Sequence, residues 1–227
     1  MINSKIILQD TADGSHTLFV PALNEHYHSI NGAWQESNHV FIEAGLRHCE
    51  LSELSVLEVG FGTGLNAFLT ALEAVKSNKI IHYTCLELYP IDVELIQSLN
   101  YAKLISPEKQ DLFDALHEAT WNESVWITPN FCLKKIKIDL LKFSTNECYD
   151  LIYFDAFAPD KQPEMWHPEV FERLFHVTNN GGILTTYCAK GVVRRSMIAA
   201  GFIVERLQGP PGKREMLRAI KNISQAK

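Results

Sequence analysis

Three glycines in five residues, Glu58-Val-Gly60-Phe-Gly62-Thr-Gly64, are the densest chemical signal in the chain. They close a short apolar run, Ser55–Val59, and open an Ala- and Leu-rich one, Leu65–Val75. Glycine there lets the backbone turn sharply and come close to a ligand. The spacing is G-x-G-x-G, unlike the G-x-G-x-x-G of dinucleotide-binding folds. Glu87 ends the next apolar run, where a carboxylate can accept two hydrogen bonds from a ribose diol. Asp155 ends Leu151-Ile-Tyr-Phe154 and precedes the aromatic, Pro-bearing loop Ala156-Phe157-Ala158-Pro159. A carboxylate at such a lip suits holding an ammonium group or orienting a nucleophilic amine. The plain alternatives are a bare strand–helix turn, a surface glutamate and a helix cap.

Other candidates carry less. His26 and His28 flank Tyr27 in an H-x-H pair, but no matching carboxylate motif accompanies them, so no metal is expected. No G-x-S-x-G elbow or P-loop is present. Trp34, Phe157 and Trp166 have the flat rings that stack on a base, and equally suit core or rim.

The elements that must position these groups alternate. Apolar runs read as strands at Ser55–Val59, Ile80–Leu86, within Val125–Ile138 (interrupted by Pro129), Tyr149–Phe154 and Gly182–Cys188. Helical spacing reads at Leu65–Val75, Ile91–Leu99, Pro107–Ala119, Glu164–Val177 and Val192–Ala200. Phe202–Leu207 and Glu215–Ile220 read as two further strands, joined by Gly209-Pro-Pro-Gly-Lys213 with no helix between them, and so should pair antiparallel. The expectation is an α/β fold whose mostly parallel, seven-stranded sheet ends in an antiparallel hairpin, with ligands beyond the strands' C-terminal ends. Residues 1–50 read as an extension packed on a unit spanning 51–227. In it Lys5–Leu8 and Thr17–Val20 form a β-hairpin around Asp13-Gly14, and His39–Cys49 is helical.

Composition narrows the class. At 46% hydrophobic and 21% charged residues, 227 residues suffice for one globular core. No apolar run is long enough to span a bilayer, and Met1–Lys5 lacks the features of a signal peptide, so no membrane association and a cytoplasmic location are expected. Five scattered cysteines without a C-x-x-C pair argue against a disulfide framework or a structural zinc site. The net charge of −6 argues against strong nonspecific nucleic-acid binding. Residues 190–227, however, hold nine Lys/Arg against two Asp/Glu, which permits a local polyanion-binding face. Lys190, Arg194, Arg195, Lys213 and Arg214 are its candidates.

The glycine segment resembles motif I of S-adenosylmethionine-dependent methyltransferases, and the element pattern resembles the class I, Rossmann-like fold of those enzymes. A narrower resemblance rests on Glu25-His-Tyr-His-Ser-Ile-Asn-Gly-Ala33, Glu36-Ser-Asn-His-Val-Phe-Ile42, Glu58–Asn66, Phe154-Asp-Ala-Phe-Ala-Pro-Asp-Lys-Gln-Pro-Glu-Met-Trp166 and Gly209-Pro-Pro-Gly-Lys-Arg-Glu-Met216. These resemble the tRNA wobble-uridine methyltransferase family formed by the MnmC methyltransferase domain and its stand-alone form, MnmD. The resemblance implies methyl transfer from S-adenosylmethionine to the amine of 5-aminomethyl-2-thiouridine at the tRNA wobble position. It implies a cofactor site of Glu58, Gly60, Gly62, Gly64, Glu87 and Asp139, with Asp155 between the methionine part and the substrate amine. Tyr27 would close over the cofactor, and Ser29 and Phe157 would face the substrate. No second dinucleotide fingerprint follows, so the FAD-dependent step of bifunctional relatives is not expected here.

An ordinary carboxylate is a poor base for an ammonium ion, so Asp155 is expected to orient the amine. A methyltransferase acting on a small amine such as a polyamine would suit the acidic body, and a noncatalytic cofactor- or RNA-binding module is the alternative of another class. The glycine spacing argues against a nicotinamide dehydrogenase.

Overall fold

The computed structural model describes residues 6–222. The chain opens with three short antiparallel strands in sequential order: β1 (Ile7–Asp10), β2 (His16–Val20) and β3 (Glu25–His26). The expected hairpin thus gains a third strand; Lys5, the start of its first arm, lies outside the described residues. Next comes α1 (Ala33–Ser37), which widens into a π-helical turn over Asn38–Glu43 and a 3-10 turn at Leu46–His48. The helical spacing of His39–Cys49 is therefore realised as irregular turns rather than an α-helix. The wide turn closes through Ala44 N–H to His39 O, five residues back, at 3.1 Å. Gly45 is required there, since a Cβ would lie 2.5 Å from Phe41 O.

From β4 (Glu53–Val59) the chain alternates: α2 (Leu65–Ser77), β5 (Ile80–Glu87), α3 (Val93–Gln97), α4 (Tyr101–Ile105), α5 (Gln110–Glu118), β6 (Ser124–Thr128) and β7 (Phe131–Lys137). It continues with β8 (Tyr149–Phe154), α6 (Pro168–His176), β9 (Thr178–Thr186), α7 (Gly191–Ala200), β10 (Ile203–Gln208) and β11 (Glu215–Ile220). These eight strands form one sheet in the order β10-β11-β9-β8-β4-β5-β7-β6. The central five, β9 to β7, are parallel, and the pairs at both edges are antiparallel. This is the class I methyltransferase architecture, with one strand more than the seven expected. The extra strand arises because Pro129 does not interrupt one long strand; it sits in the turn between β6 and β7, where its missing N–H costs nothing.

Other departures from the expected elements have local causes. The single helix expected over Glu164–Val177 is a 3-10 turn, Pro163–Trp166, followed by α6. Pro168 forces the residue before it, His167, into extended backbone (φ −65°, ψ 146°), which breaks the helix and caps the next. α4 was hidden in the sequence by its five-residue length, yet its Tyr101 is completely buried.

Alternation along β4 builds both core layers. Val56 faces a cluster with Phe68, Tyr83, Phe113, Phe131 and Tyr153, which also takes in Leu18 and Val40 from the N-terminal segment. Leu57 and Val59 face Ile152, Phe154, Phe171, Leu184 and Met197 under α6 and α7. The chain leaves β4 towards β5 and β7, then returns to β8 on the other side of β4. That reversal opens a crevice beyond the carboxyl ends of β4 and β8. No helix among the described residues is long and apolar enough to cross a membrane.

Candidate active site

The crevice is a cleft of about 520 Å³, within the usual range for small-molecule sites. Gly60 and Gly62, just past β4, form its floor, and Glu87, Asp139 and Asp155 reach it from the ends of β5, β7 and β8. Tyr27, Ser29, Phe157, Tyr187 and Lys213 line it from outside the strand ends.

The glycine loop is shaped by close approaches. Gly60 has φ +90°, and a Cβ would lie 2.9 Å from Asp155 O. Gly62 has φ +50°, and a Cβ would lie 3.1 Å from the Tyr27 ring. Glu87 braces the loop, accepting from Gly62 N–H at 3.0 Å and Tyr89 N–H at 2.8 Å. A carboxylate has about four acceptor sites, so this leaves capacity for a diol. Asp139 accepts from Leu141 N–H at 2.9 Å while it lines the cleft.

Asp155 is half-buried on the floor. Its Oδ2 accepts from Asn66 Nδ2 at 2.8 Å. Burial pushes its carboxyl up from the usual value to about 7, against the lowering effect of the Asn66 bond; Glu36 adds to the rise and Lys213 opposes it. This revises the expectation from sequence: a carboxyl held near 7 accepts a proton far better than one of ordinary acidity.

Two residues expected in the cofactor wall stand behind it. Glu58 is fully buried (0% exposed) and does not line the cleft. It lies on the α2 side of the sheet, where its Oε1 accepts from Asn66 Nδ2 at 3.0 Å, and burial raises its carboxyl well above the usual range. Alternation along β4 is the reason, because a side chain one residue before Val59 points to the opposite face. Gly64 also misses the cleft; it starts α2 in the left-handed region (φ +74°), where a Cβ would lie 2.6 Å from His117 Nε2.

The basic face separates in the same way. Lys213 points inward: its ammonium pairs with Glu36 and stands 3.9 Å from the centre of the Tyr187 ring. Lys190 pairs with Asp160 at 2.5 Å, while Arg206 and Arg218 pair with Glu215 and Glu205. Arg195 and Arg214 are exposed, Arg194 is half-buried, and no ion pair forms at any of the three among the described residues. None of the three lines the cleft. Sequence gives residue type but not which way a long side chain turns.

The two rings of the H-x-H pair take separate partners. His26 Nε2 meets Gln9 Oε1 at 2.9 Å, and His28 Nε2 meets Thr63 Oγ1 at 2.7 Å. Burial drops His28 to about 4, so the ring is neutral and pins the N-terminal segment to the glycine loop. No group of three or more His, Cys, Asp or Glu able to hold a metal occurs among the described residues. Trp166 is core, donating to Phe157 O at 2.7 Å. Phe157 packs edge-on to Tyr27, with ring centres 5.1 Å apart, over the cleft. Asn66 and Glu36 are among the residues that sequence reasoning missed. Both stand inside segments that carried the family resemblance, which was the available signal.

Comparison with known proteins agrees with this geometry. Residues 110–222 match the family model described as S-adenosyl-L-methionine-dependent methyltransferase. The chain is 32% identical over 217 residues to the tRNA 5-methylaminomethyl-2-thiouridine biosynthesis bifunctional protein MnmC of Pseudoalteromonas atlantica, covering 86% of this chain and 30% of that protein. It is 33% identical over 208 residues to the MnmC of Pseudomonas syringae pv. syringae, covering 85% and 31%. The chain thus spans about a third of the curated relatives it matches. Among solved structures, MNMC2 from Aquifex aeolicus superposes with a TM-score of 0.78 at 24% identity, covering 99% of this chain and 74% of that one. The amino pentose methyltransferase CalS10 from Micromonospora echinaspora, solved with S-adenosylmethionine bound, gives 0.52 at 12% identity over 85% and 93%. Both likenesses concern the fold. The chain belongs to the S-adenosyl-L-methionine-dependent methyltransferases and is similar over most of its length to about a third of MnmC.

Proposed function

We propose that this chain methylates the exocyclic amine of 5-aminomethyl-2-thiouridine at the wobble position of tRNA, giving the 5-methylaminomethyl product. The observation that carries the reading is Asp155, a carboxyl held near 7 at the cleft floor beside the glycine loop. The substrate is inferred from the MnmC relatives, whose name states the biosynthesis of that methylated nucleoside.

The residues present fit S-adenosylmethionine. Gly60 and Gly62 line the cleft with bare backbone, in turns too tight to carry a Cβ, and would receive the methionine part. Glu87 would accept from the ribose hydroxyls, and Asp139 from the adenine amine. Tyr27, edge-on to Phe157, would close over the cofactor, with Ser29 and Phe157 facing the base. When bound, the cofactor supplies a methyl group on a positively charged sulfur. Asp155 would hold the substrate amine as a neutral nucleophile facing that methyl and would accept the proton the nitrogen sheds. The protein's part is to hold the amine in line, exclude water and accept the proton.

The cleft wall is acidic. Glu25, Glu36, Glu87, Asp139, Asp155 and Glu164 face it, against Lys213. That charge suits cationic ligands and repels phosphates, so tRNA phosphates would be met outside it, by Arg194, Arg195 and Arg214. It also favours a second reading, a small polyamine as methyl acceptor. The two separate when enzyme and labelled cofactor are incubated with undermodified tRNA or with polyamines, followed by mass analysis of wobble nucleosides. Label in 5-methylaminomethyl-2-thiouridine supports the tRNA reading; label confined to polyamine overturns it.

A further inference from the structure

Behind the proposed acceptor lies a second carboxyl that the reaction does not use. Glu58 has no exposed surface, yet no lysine or arginine faces it among the described residues. Its polar neighbours are Tyr83 and Cys85 from β5, Tyr153 from β8, Asn66 from α2, and the carboxylates Asp155 and Glu87. Burial without a cationic partner disfavours the charge and raises the carboxyl well above its usual range, which favours the neutral acid. Between the two carboxyls stands Asn66, in the first turn of α2. Its single Nδ2 donates to Glu58 Oε1 at 3.0 Å and to Asp155 Oδ2 at 2.8 Å. Among the described residues, Glu58 Oε2 and Asn66 Oδ1 are both buried without a hydrogen-bond partner. Two donors stand near those atoms: the Tyr83 hydroxyl, itself buried and unpartnered among these residues beside Glu58, and the acid proton of Glu58, which would go to Asn66 Oδ1.

We propose that Asn66 is a positioning residue for methyl transfer: anchored from behind by Glu58, it holds Asp155 Oδ2 and leaves the other carboxylate oxygen turned to the substrate amine. This rests on the proposed role of Asp155. The arrangement explains why a carboxyl is retained in an apolar layer. A neutral acid accepts from the amide with one oxygen and donates with the other, fixing the rotamer of Asn66 through both amide atoms. Asp155 also feels Glu36 from α1, Lys213 from the β10–β11 turn and Tyr187 after β9, so Asn66 is one influence among four. Of these, Asn66 alone contacts the carboxylate by a direct hydrogen bond among the described residues.

The test is carbon-13 NMR titration of the Asp155 carboxyl in the ligand-free full chain, for wild type, Asn66→Ala, Glu58→Ala and Glu58→Gln. Removing a donor that favours the ionised form raises the midpoint, so Asn66→Ala should move it up by about 0.5–1 unit. Glu58→Ala should move it the same way, because it frees Asn66. Glu58→Gln keeps one acceptor and one donor behind the amide and should return the midpoint towards wild type. An unmoved or lowered midpoint in Asn66→Ala overturns the proposal; a Glu58→Gln midpoint displaced as far as that of Asn66→Ala overturns the anchoring by Glu58. If Glu58→Ala does not fold, the other two variants still decide. The titration needs no methyl acceptor, so it stands apart from whether tRNA is the substrate. A paired single-turnover assay on tRNA should show about a tenfold slower Asn66→Ala step with cofactor affinity within about threefold, a split that general destabilisation would not give.

Discussion

Asp155 sits where two demands meet. It must be buried enough to prefer a proton and open enough to reach an amine. Replacing it by Asn keeps the shape and removes the acceptor, and should slow single-turnover methyl transfer by about 100-fold or more while leaving cofactor affinity within a few-fold, measured by rapid quench and calorimetry. Its rise to about 7 fixes the sign of two pH effects. The carboxylate is the working form, so the rate climbs with pH up to the midpoint. A bound sulfonium favours that form, so the kinetic midpoint should fall below the one titrated in ligand-free protein. Stability runs the other way. The folded-state value lies above the unfolded one, so the stabilising contribution is complete below the ordinary aspartate value and is lost as pH rises through about 7. Asp155→Asn should therefore melt higher than wild type at pH 8, by about 1–2 kcal/mol once partial exposure is discounted, with no gain at pH 4.

At the scale of elements, the glycine loop is held from three sides: the β8 backbone behind Gly60, Tyr27 above Gly62, and Glu87 bracing its N–H. Gly60→Ala places a Cβ in a left-handed conformation and against Asp155 O, and should cost about 1–2 kcal/mol of stability. Calorimetry should find cofactor affinity reduced at least about tenfold, because β4 and β8 would have to part. The loop was legible because glycine density and strand-end carboxylates are written in residue type. β8 and β11 were legible to the residue, since Tyr149–Phe154 and Glu215–Ile220 are short, mostly apolar segments with polar or turn-forming flanks. What escaped was direction. Glu58 and Lys213 have the expected chemistry but point behind the wall and into the cleft, and a sequence does not record which way a side chain turns. The β6–β7 hairpin escaped because Pro129 reads alike as an interruption and as a turn.

Across the whole molecule, charge is sorted rather than spread. The basic end apparent in the sequence is largely spent internally: Lys190, Arg206, Lys213 and Arg218 are ion-paired, and Lys221 is buried, donating to Phe175 O and Thr178 O. If tRNA is the substrate, replacing Arg194, Arg195 and Arg214 together by Ala should lower the slope of log affinity against log salt by about 2–3, while Lys213→Met should leave that slope nearly unchanged. Filter binding across a salt series distinguishes them, and a reversed order would return Lys213 to the phosphate contacts.

β11 is made after β10 yet lies between β10 and β9. During vectorial synthesis β10 therefore emerges with its slot beside β9 still vacant, and must wait for residues 215–220 to slide in. Until then β9 presents a bare edge, and the turn carrying Lys213 has no fixed place above the cleft. Ribosome-stalled chains cut short of Glu215 should bind holdase chaperones and resist loading with cofactor, while chains extended past Ile220 and clear of the exit tunnel should do neither.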